Sequence, residues 1–450
     1  MANPNECSDV ANITAPLSAA AATEINQVDI AIVGGAMAGA TLALGLAQLT
    51  KKITKELGQS AEQKPLKIAL IEAHKPSDEH PGFDARSIAI SHGSIFQLQQ
   101  LDLWQHLESL ATPISNIHVS DRGHFGMTEL NSESFHLPYL GQVVELEAVG
   151  NKLFSLLEKS DIALYCPNKL QSVEARMDSQ LLTLEDGQQI AAKLVVAADG
   201  VNSKVRQAFK LPLEQIDFGQ SAIITNIHTE QPHQGWAYER FTQTGPLALL
   251  PMADSQSDSR LSLVWALPPA DAERLLTAPR AEFIEQLQQA FGYRAGRFID
   301  IGNRFSYPLL LSYMPRPIYH RTVFLGNAAQ TLHPIAGQGF NLGLRDVVCL
   351  IDVIEKELTK LALANSECTN PEGESQPTVD LGSAALTHAY LERRNADRQG
   401  TMNSIEFLVR GFSNDHWPLV IGRNLGLRLL SWLPSLKTPV AQKAMGWIQS

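Results

Sequence analysis

The chain lacks the features that would make it a membrane-spanning, nucleic-acid-binding or metal-caged protein. No stretch of its 450 residues approaches the run of about eighteen uninterrupted apolar residues that a bilayer-crossing helix needs, so a transmembrane helix is not expected. There is no Lys/Arg-rich run and no basic-aromatic interleaving, and the formal charge is −11. A phosphate backbone would find nothing to follow, which argues against nucleic acid as a partner. The four cysteines, Cys7, Cys166, Cys349 and Cys368, are scattered without any C-x-x-C spacing. That pattern suggests no metal site and no disulfide framework, and it fits a reducing cytoplasm. Residues 1–27 carry Glu6, Asp9 and Glu24 but no basic residue and no apolar core. They read as a disordered tail and not as a signal peptide.

What is present is ordinary globular composition, 44% hydrophobic and 18% charged, in a chain long enough for two or three structural units. The β-branched run VDIAIVG reads as a buried strand, followed by a Gly-rich turn and an Ala/Leu-rich helix. A polar insertion then leads to a second strand, KIALIEA, and KLVVAADG and TVFLGNAAQ repeat the buried-strand pattern further on. Between about Ser221 and Trp265 the pattern is β-rich and distinct. A helix begins near Gln338, a polar loop covers 365–382, and the remainder looks helical.

Three motifs point to chemistry. The turn Gly34-Gly35-Ala36-Met37-Ala38-Gly39-Ala40 stands where a dinucleotide fingerprint would, with backbone N–H groups and a positive helix end available to a pyrophosphate. Ala36 holds the second glycine position, and a plain tight turn remains the alternative. Glu72, at the end of the second strand, could accept hydrogen bonds from a ribose diol or be a solvated carboxylate. In AADGVNSKVR, Asp199 reaches a turn with Gly200, Ser203 and Arg206 behind it; helix capping is the competing reading. The stretch 325–346 is dense in Gly, Pro and Asn. Gly337, Gly339 and Gly343 would allow close approach to a planar ligand, and the helix at Gln338 would aim its positive end at it.

In order and spacing these motifs resemble the single-component aromatic hydroxylases of the para-hydroxybenzoate hydroxylase type. From about residue 28 to 450 the chain is similar to their ubiquinone-biosynthesis branch, and the stretches PGFDARSIAIS, LGQVVELEAVG, YERFTQTGPLALLPM and the ending AMGW support this. Gly326-Asn327-Ala328-Ala329-Gln330 replaces the wider family's Gly-Asp-Ala-Ala-His, and this variant resembles the methoxyphenol-hydroxylating members.

The resemblance implies an α/β fold: a discontinuous Rossmann-like FAD-binding domain (28–115, 143–212, 306–364), an inserted mixed β-sheet substrate domain (116–142, 213–305) and a helical C-terminal region (383–450). It implies FAD held by Gly34, Gly35, Ala36, Gly39, Glu72, Arg86, Gln142 and Asp199 on the nucleotide and linker side. Gly326, Asn327, Pro334, Gly337, Gln338, Gly339, Phe340 and Asn341 would lie towards the ring. It further implies NADH or NADPH as transient reductant, oxygen as co-substrate, transfer through a flavin hydroperoxide, and a polyprenyl-methoxyphenol substrate. His333 and Pro334 fall at the flavin-substrate contact, and Tyr238, Arg240, Phe241, Leu249 and Pro251 are candidates for the substrate wall. For His333, a loop histidine without catalytic duty remains open, as does ordinary sheet packing for the wall residues.

From His416 to Ser450 there are Arg423, Arg428, Lys437 and Lys443, several large apolar side chains and no acidic residue. Such a segment suits peripheral contact with the inner membrane, contact with other ubiquinone-pathway proteins, or packing on its own FAD domain. Another ring hydroxylation of the same pathway, or a non-catalytic flavin-binding assembly or redox sensor, is the alternative function.

Overall fold

Ile30–Val33 is apolar on both of its faces, so it is stable as a strand only if covered from both sides. A parallel sheet provides that cover. The strand Ile25–Val33 pairs in parallel with Gln189–Ala197 on one side and with Ile68–Ile71 on the other. Ile30, Ile32, Leu70 and Val196 join one core cluster, and Val28, Ala31, Ile71 and Val195 join another.

The computed structural model describes residues 25–56, 65–76, 86–253, 258–367, 379–412, 417–433, 438–442 and 445–447. Among them are three sheets. The first runs in the order Ile318–Tyr319, Thr322–Phe324, Gln189–Ala197, Ile25–Val33, Ile68–Ile71, Ala163–Tyr165, and Gln180–Leu184 and Leu170–Ala175 extend it antiparallel. The second, the broad sheet, runs Gln330–Thr331, Phe305–Tyr313, Glu214–Thr229, Arg260–Leu267, Gly245–Pro251, Trp236–Thr242, Asn116–Asp121, Met127–Asn131. Ser87–Ser91, Gly141–Glu145 and Ala111–Ile114 form a small third sheet.

Three expected boundaries need correction. Ile25, Asn26 and Gln27 pair with Gln189, Ile190 and Ala191, so the first strand begins inside the expected tail; residues 1–24 lie outside the described residues. Gly141 and Gln142 belong to the small third sheet and not to the broad one. The broad sheet also continues past 305, because Phe305–Tyr313 pairs with Glu214–Thr229.

Helices Met37–Glu56 and Gln338–Glu367 contribute Leu42, Leu46, Leu350 and Ile354 to the core over the parallel sheet. The second of these runs into the segment expected as a loop, of which 368–378 lie outside the described residues. Pro269–Thr277 and Arg280–Phe291 cover one face of the broad sheet. Helix Ala384–Phe412 is followed by Trp417–Trp432, which docks on the broad sheet beside Met127–Asn131. Among the described residues, no helix is long and apolar enough to cross a membrane.

Candidate functional site

The parallel strands deliver the three motifs to one edge. Gly34 has φ +100, and a Cβ there would lie 2.5 Å from the Ala198 carbonyl oxygen; a Cβ on Gly39 would lie 1.8 Å from the Gly34 carbonyl oxygen. Only glycine lets the turn fold this tightly between strand ends and helix start. The Ala36 side chain packs on the core cluster. Beneath the turn, the buried Glu72 carboxylate accepts from the Gly35 N–H at 2.5 Å and from the His74 N–H at 3.0 Å.

Asp199 follows the strand that pairs beside Val33, which places it against Gly34. Its Oδ2 accepts from the N–H groups of Lys204 (2.7 Å) and Val205 (3.3 Å). Its Oδ1 is buried without a hydrogen-bond partner, and burial raises the carboxyl pKa. An orphaned buried acceptor is costly unless a donor arrives, and a hydroxyl of the FAD sugar chain fits that need. Arg206 does different work: it donates to the carbonyls of Ala328 (3.0 Å) and Val201 (2.6 Å), tying the second motif to the third.

In the third motif, Gly326 has φ +56, and a Cβ there would sit 3.3 Å from the Ala38 Cβ, so the first and third motifs touch. Asn327 is exposed on this turn. Gln330 is buried and donates to Asp346 at 2.6 Å while accepting from Arg398 at 2.7 Å. Asp346 also accepts from Arg394 at 2.8 Å and from the Gly326 N–H at 3.3 Å. These buried charges are tolerable because they are paired and hydrogen-bonded. The Asn-Gln variant thus has two separate roles: Asn327 is presented outward, whereas Gln330 fastens the turn to the helices behind it.

His333 is fully buried (0% exposed), and burial lowers its pKa to about 4. Its Nδ1 accepts from the Ile335 N–H at 3.3 Å, which leaves Nε2–H to donate to Gln220 Oε1, also at 3.3 Å. This neutral histidine braces the turn, while Pro334 is exposed on it. Gly337 has φ +59, and nothing stands within 4 Å of a Cβ built on Gly339. Gln338 and Phe340 are half-buried at the start of the long helix. The Asn341 amide accepts from the Ser91 N–H (2.9 Å) and donates to the carbonyls of Ala89 (3.1 Å) and Gly337 (2.8 Å), so it clamps the ring turn to the small sheet. Gln142 is buried on the central strand of that sheet. The Arg86 guanidinium lies 5.3 Å from the centroid of Tyr307 on the broad sheet.

The wall residues divide by strand parity. Tyr238 and Leu249 stand opposite each other and pack with Phe283, Leu287 and Phe291 under the helices, on the face away from Ala89 and Ile335. Arg240, two residues from Tyr238, and Pro251, two from Leu249, share that parity. The expectation that these four form a wall facing the ring turn is therefore corrected. Phe241 points the other way, stacks on Phe412 at 4.0 Å and joins the cluster of Ile335. Ala222, Ala237, Ala248, Ala266 and Tyr307 share its face by the same alternation. Gln220 was not anticipated. Its signal is Gly219, at φ +65, where the strand register shifts between Asp217 and Ser221.

Among the described residues, no group of three or more His, Cys, Asp or Glu could hold a metal. Glycine-lined turns, one orphaned acceptor and a helix start converging on one edge suit a dinucleotide-bearing planar cofactor. The FAD binding domain family matches residues 27–364, so the chain belongs to it. It shares its fold with a probable FAD-dependent monooxygenase, pqsL of Pseudomonas aeruginosa, at a TM-score of 0.68 and 16% identity, covering 89% of this chain and 99% of that one.

The curated relatives narrow the family. The ubiquinone hydroxylase UbiL of Rhodospirillum rubrum is 32% identical over 94% of this chain and 90% of its own length. The 3-demethoxyubiquinol 3-hydroxylase of Escherichia coli is 31% identical over 93% and 98%. The chain is an FAD-dependent monooxygenase of the ubiquinone-biosynthesis family, a class that uses NAD(P)H and molecular oxygen.

Proposed function

We propose that the enzyme hydroxylates the ring of a polyprenyl-methoxyphenol intermediate of ubiquinone biosynthesis. The observation that carries this reading is the broad sheet's inner face. It carries the small side chains Ala222, Ala237, Ala248 and Ala266, and Phe241 on the same face joins the apolar cluster of Ile335, Ile405, Val409, Phe412 and Leu427. A flat phenol suits the first region and an apolar tail suits the second.

FAD, once reduced, supplies the oxygen-activating chemistry. The chain's own residues bind, orient and exclude water. Gly34, Gly35 and Gly39 admit the pyrophosphate, and Glu72 and Asp199 accept from cofactor hydroxyls. The N-terminal end of helix Gln338–Glu367 turns its positive dipole end towards negative charge on the reduced ring. His333 acts as a positioning residue through Ile335 and Gln220, holding Pro334 at the substrate side. Arg86 lies between the cofactor region and the broad sheet.

The direct test is quinone profiling of cells lacking the protein, together with NAD(P)H-dependent flavin reduction accelerated by a short-tailed methoxyphenol. Accumulated prenyl-methoxyphenol supports the proposal, and unchanged ubiquinone during aerobic growth refutes it. The name of the E. coli relative favours a second reading, hydroxylation at another ring position of the same pathway. In that case a demethoxy intermediate accumulates instead. The same substrate chemistry favours peripheral contact, through residues 416–450, with a lipid surface or with other pathway proteins.

A further inference from the structure

We propose that the outer face of helix Trp417–Trp432 and the adjoining tip of the hairpin between Asn116–Asp121 and Met127–Asn131 form one docking surface for an anionic lipid bilayer. The inference rests on the proposed prenylated substrate only for its purpose; the surface itself is defined by geometry. At about 100° per residue, Ile421, Leu425, Arg428 and Trp432 fall within about 60° of one another on the helix. Ile421, Leu425 and Trp432 are 53%, 48% and 65% exposed. Phe125, more than 290 residues earlier, stands 59% exposed at the hairpin tip, and its carbonyl accepts from Arg428 Nε at 2.7 Å. Two distant segments thus present a single apolar stripe.

The stripe is held rigidly from beneath. Asp121 is buried and accepts from Arg423 Nε and Asn424 Nδ2, both at 2.8 Å, and Asn424 Oδ1 accepts from the Gly126 N–H at 2.6 Å. An ion pair of 7% and 2% side-chain exposure fixes the helix against the hairpin while its large apolar residues face outward. A protein that only needed to tuck the helix away would turn those residues inward.

Charge selects the occupant. Helix 417–432 and the hairpin tip 122–126 contain no Asp or Glu, in a chain of net charge −11; Arg423 is paired with Asp121, and Arg428 is the cation that the helix brings to the stripe. The exposed Arg122 adds a cation at the hairpin tip. Cations and aromatics interleaved with aliphatic side chains suit the headgroup boundary of an anionic leaflet. On its inner side the same helix contributes Leu427 to the cluster that reaches Ile335, so the surface adjoins the apolar side of the ring turn.

The test is flotation of the FAD-loaded full chain with phosphatidylglycerol/phosphatidylcholine vesicles and with pure phosphatidylcholine. The wild type should float with the anionic vesicles and release with salt. The double variant Phe125→Asp, Leu425→Glu should partition at least about tenfold more weakly while keeping its flavin content and melting temperature. Met177→Glu, at an exposed apolar residue in a different part of the fold, should float as wild type.

The proposal is overturned if the wild type stays with the sediment, if it floats equally on neutral vesicles, or if the double variant floats undiminished. It is also overturned if the double variant dissociates a dimer that never floats, which would give the surface to a second copy. Hydroxylation of a short-tailed soluble methoxyphenol without vesicles is measured in parallel. Its failure alongside intact flotation sinks the substrate assignment and leaves the docking surface standing.

Discussion

Replacing Asp199 by Asn isolates a single oxygen atom. In the native chain Oδ2 caps the turn through the N–H groups of Lys204 and Val205, at 2.7 and 3.3 Å, while the buried Oδ1 has no partner. The two backbone donors require the Asn variant to keep its carbonyl oxygen at the Oδ2 position, which puts the NH2 group at the Oδ1 position. A cofactor hydroxyl that donates to Asp199 then meets a donor. A hydrogen bond to a charged group is worth about 1.5–3 kcal/mol, so FAD affinity should fall roughly ten- to 150-fold. Titration of apoprotein with FAD, followed by flavin fluorescence, measures this directly. Urea unfolding of the apoprotein should change by less than about 1 kcal/mol, because the capping bonds persist. Unchanged FAD affinity would refute the reasoning. So would a loss of apoprotein stability as large as the loss in binding, since that would make Asp199 a helix cap and nothing more.

Gly39→Ala places a methyl group 1.8 Å from the Gly34 carbonyl oxygen, a backbone atom that cannot yield without moving the turn. Overpacking of this kind costs about 1–3 kcal/mol or more, and the purified variant should be colourless. Gln330→Ala removes one bond each from buried Asp346 and Arg398, and urea unfolding should show a loss of about 3 kcal/mol. His333 binds its proton less readily when folded, with a pKa of about 4 against 6.5. Its contribution to stability is therefore complete above pH 6.5 and is lost as pH falls from there towards 4. Between pH 7.5 and 5.5 that amounts to about 1 kcal/mol. His333→Gln should flatten the pH dependence of urea unfolding by this amount, whereas equal slopes in variant and wild type would contradict it.

What is local is written in the chain itself. A strand, a turn too tight for any side chain and a helix must be adjacent in the chain, so Gly34, Gly39 and Gly337 announce their positions through backbone geometry alone. The order of the three motifs followed, and with it the cofactor. Gly219 bears the same kind of signal, and Gln220 follows it. Packing settles whatever depends on which surface meets which. Strand alternation separates Tyr238 from Phe241, but both faces of the broad sheet are buried, so a period of two cannot say which face meets the helices and which the ring turn. Gln330 could as well have touched a ligand; only Asp346 and Arg398, brought from two later helices, make it a fastening. The C-terminal segment's basic, apolar composition was visible from the start. Its seat on the broad sheet was not, because it depends on Asp121 meeting Arg423 across 302 residues, and a long-range pairing leaves no periodic trace in either segment.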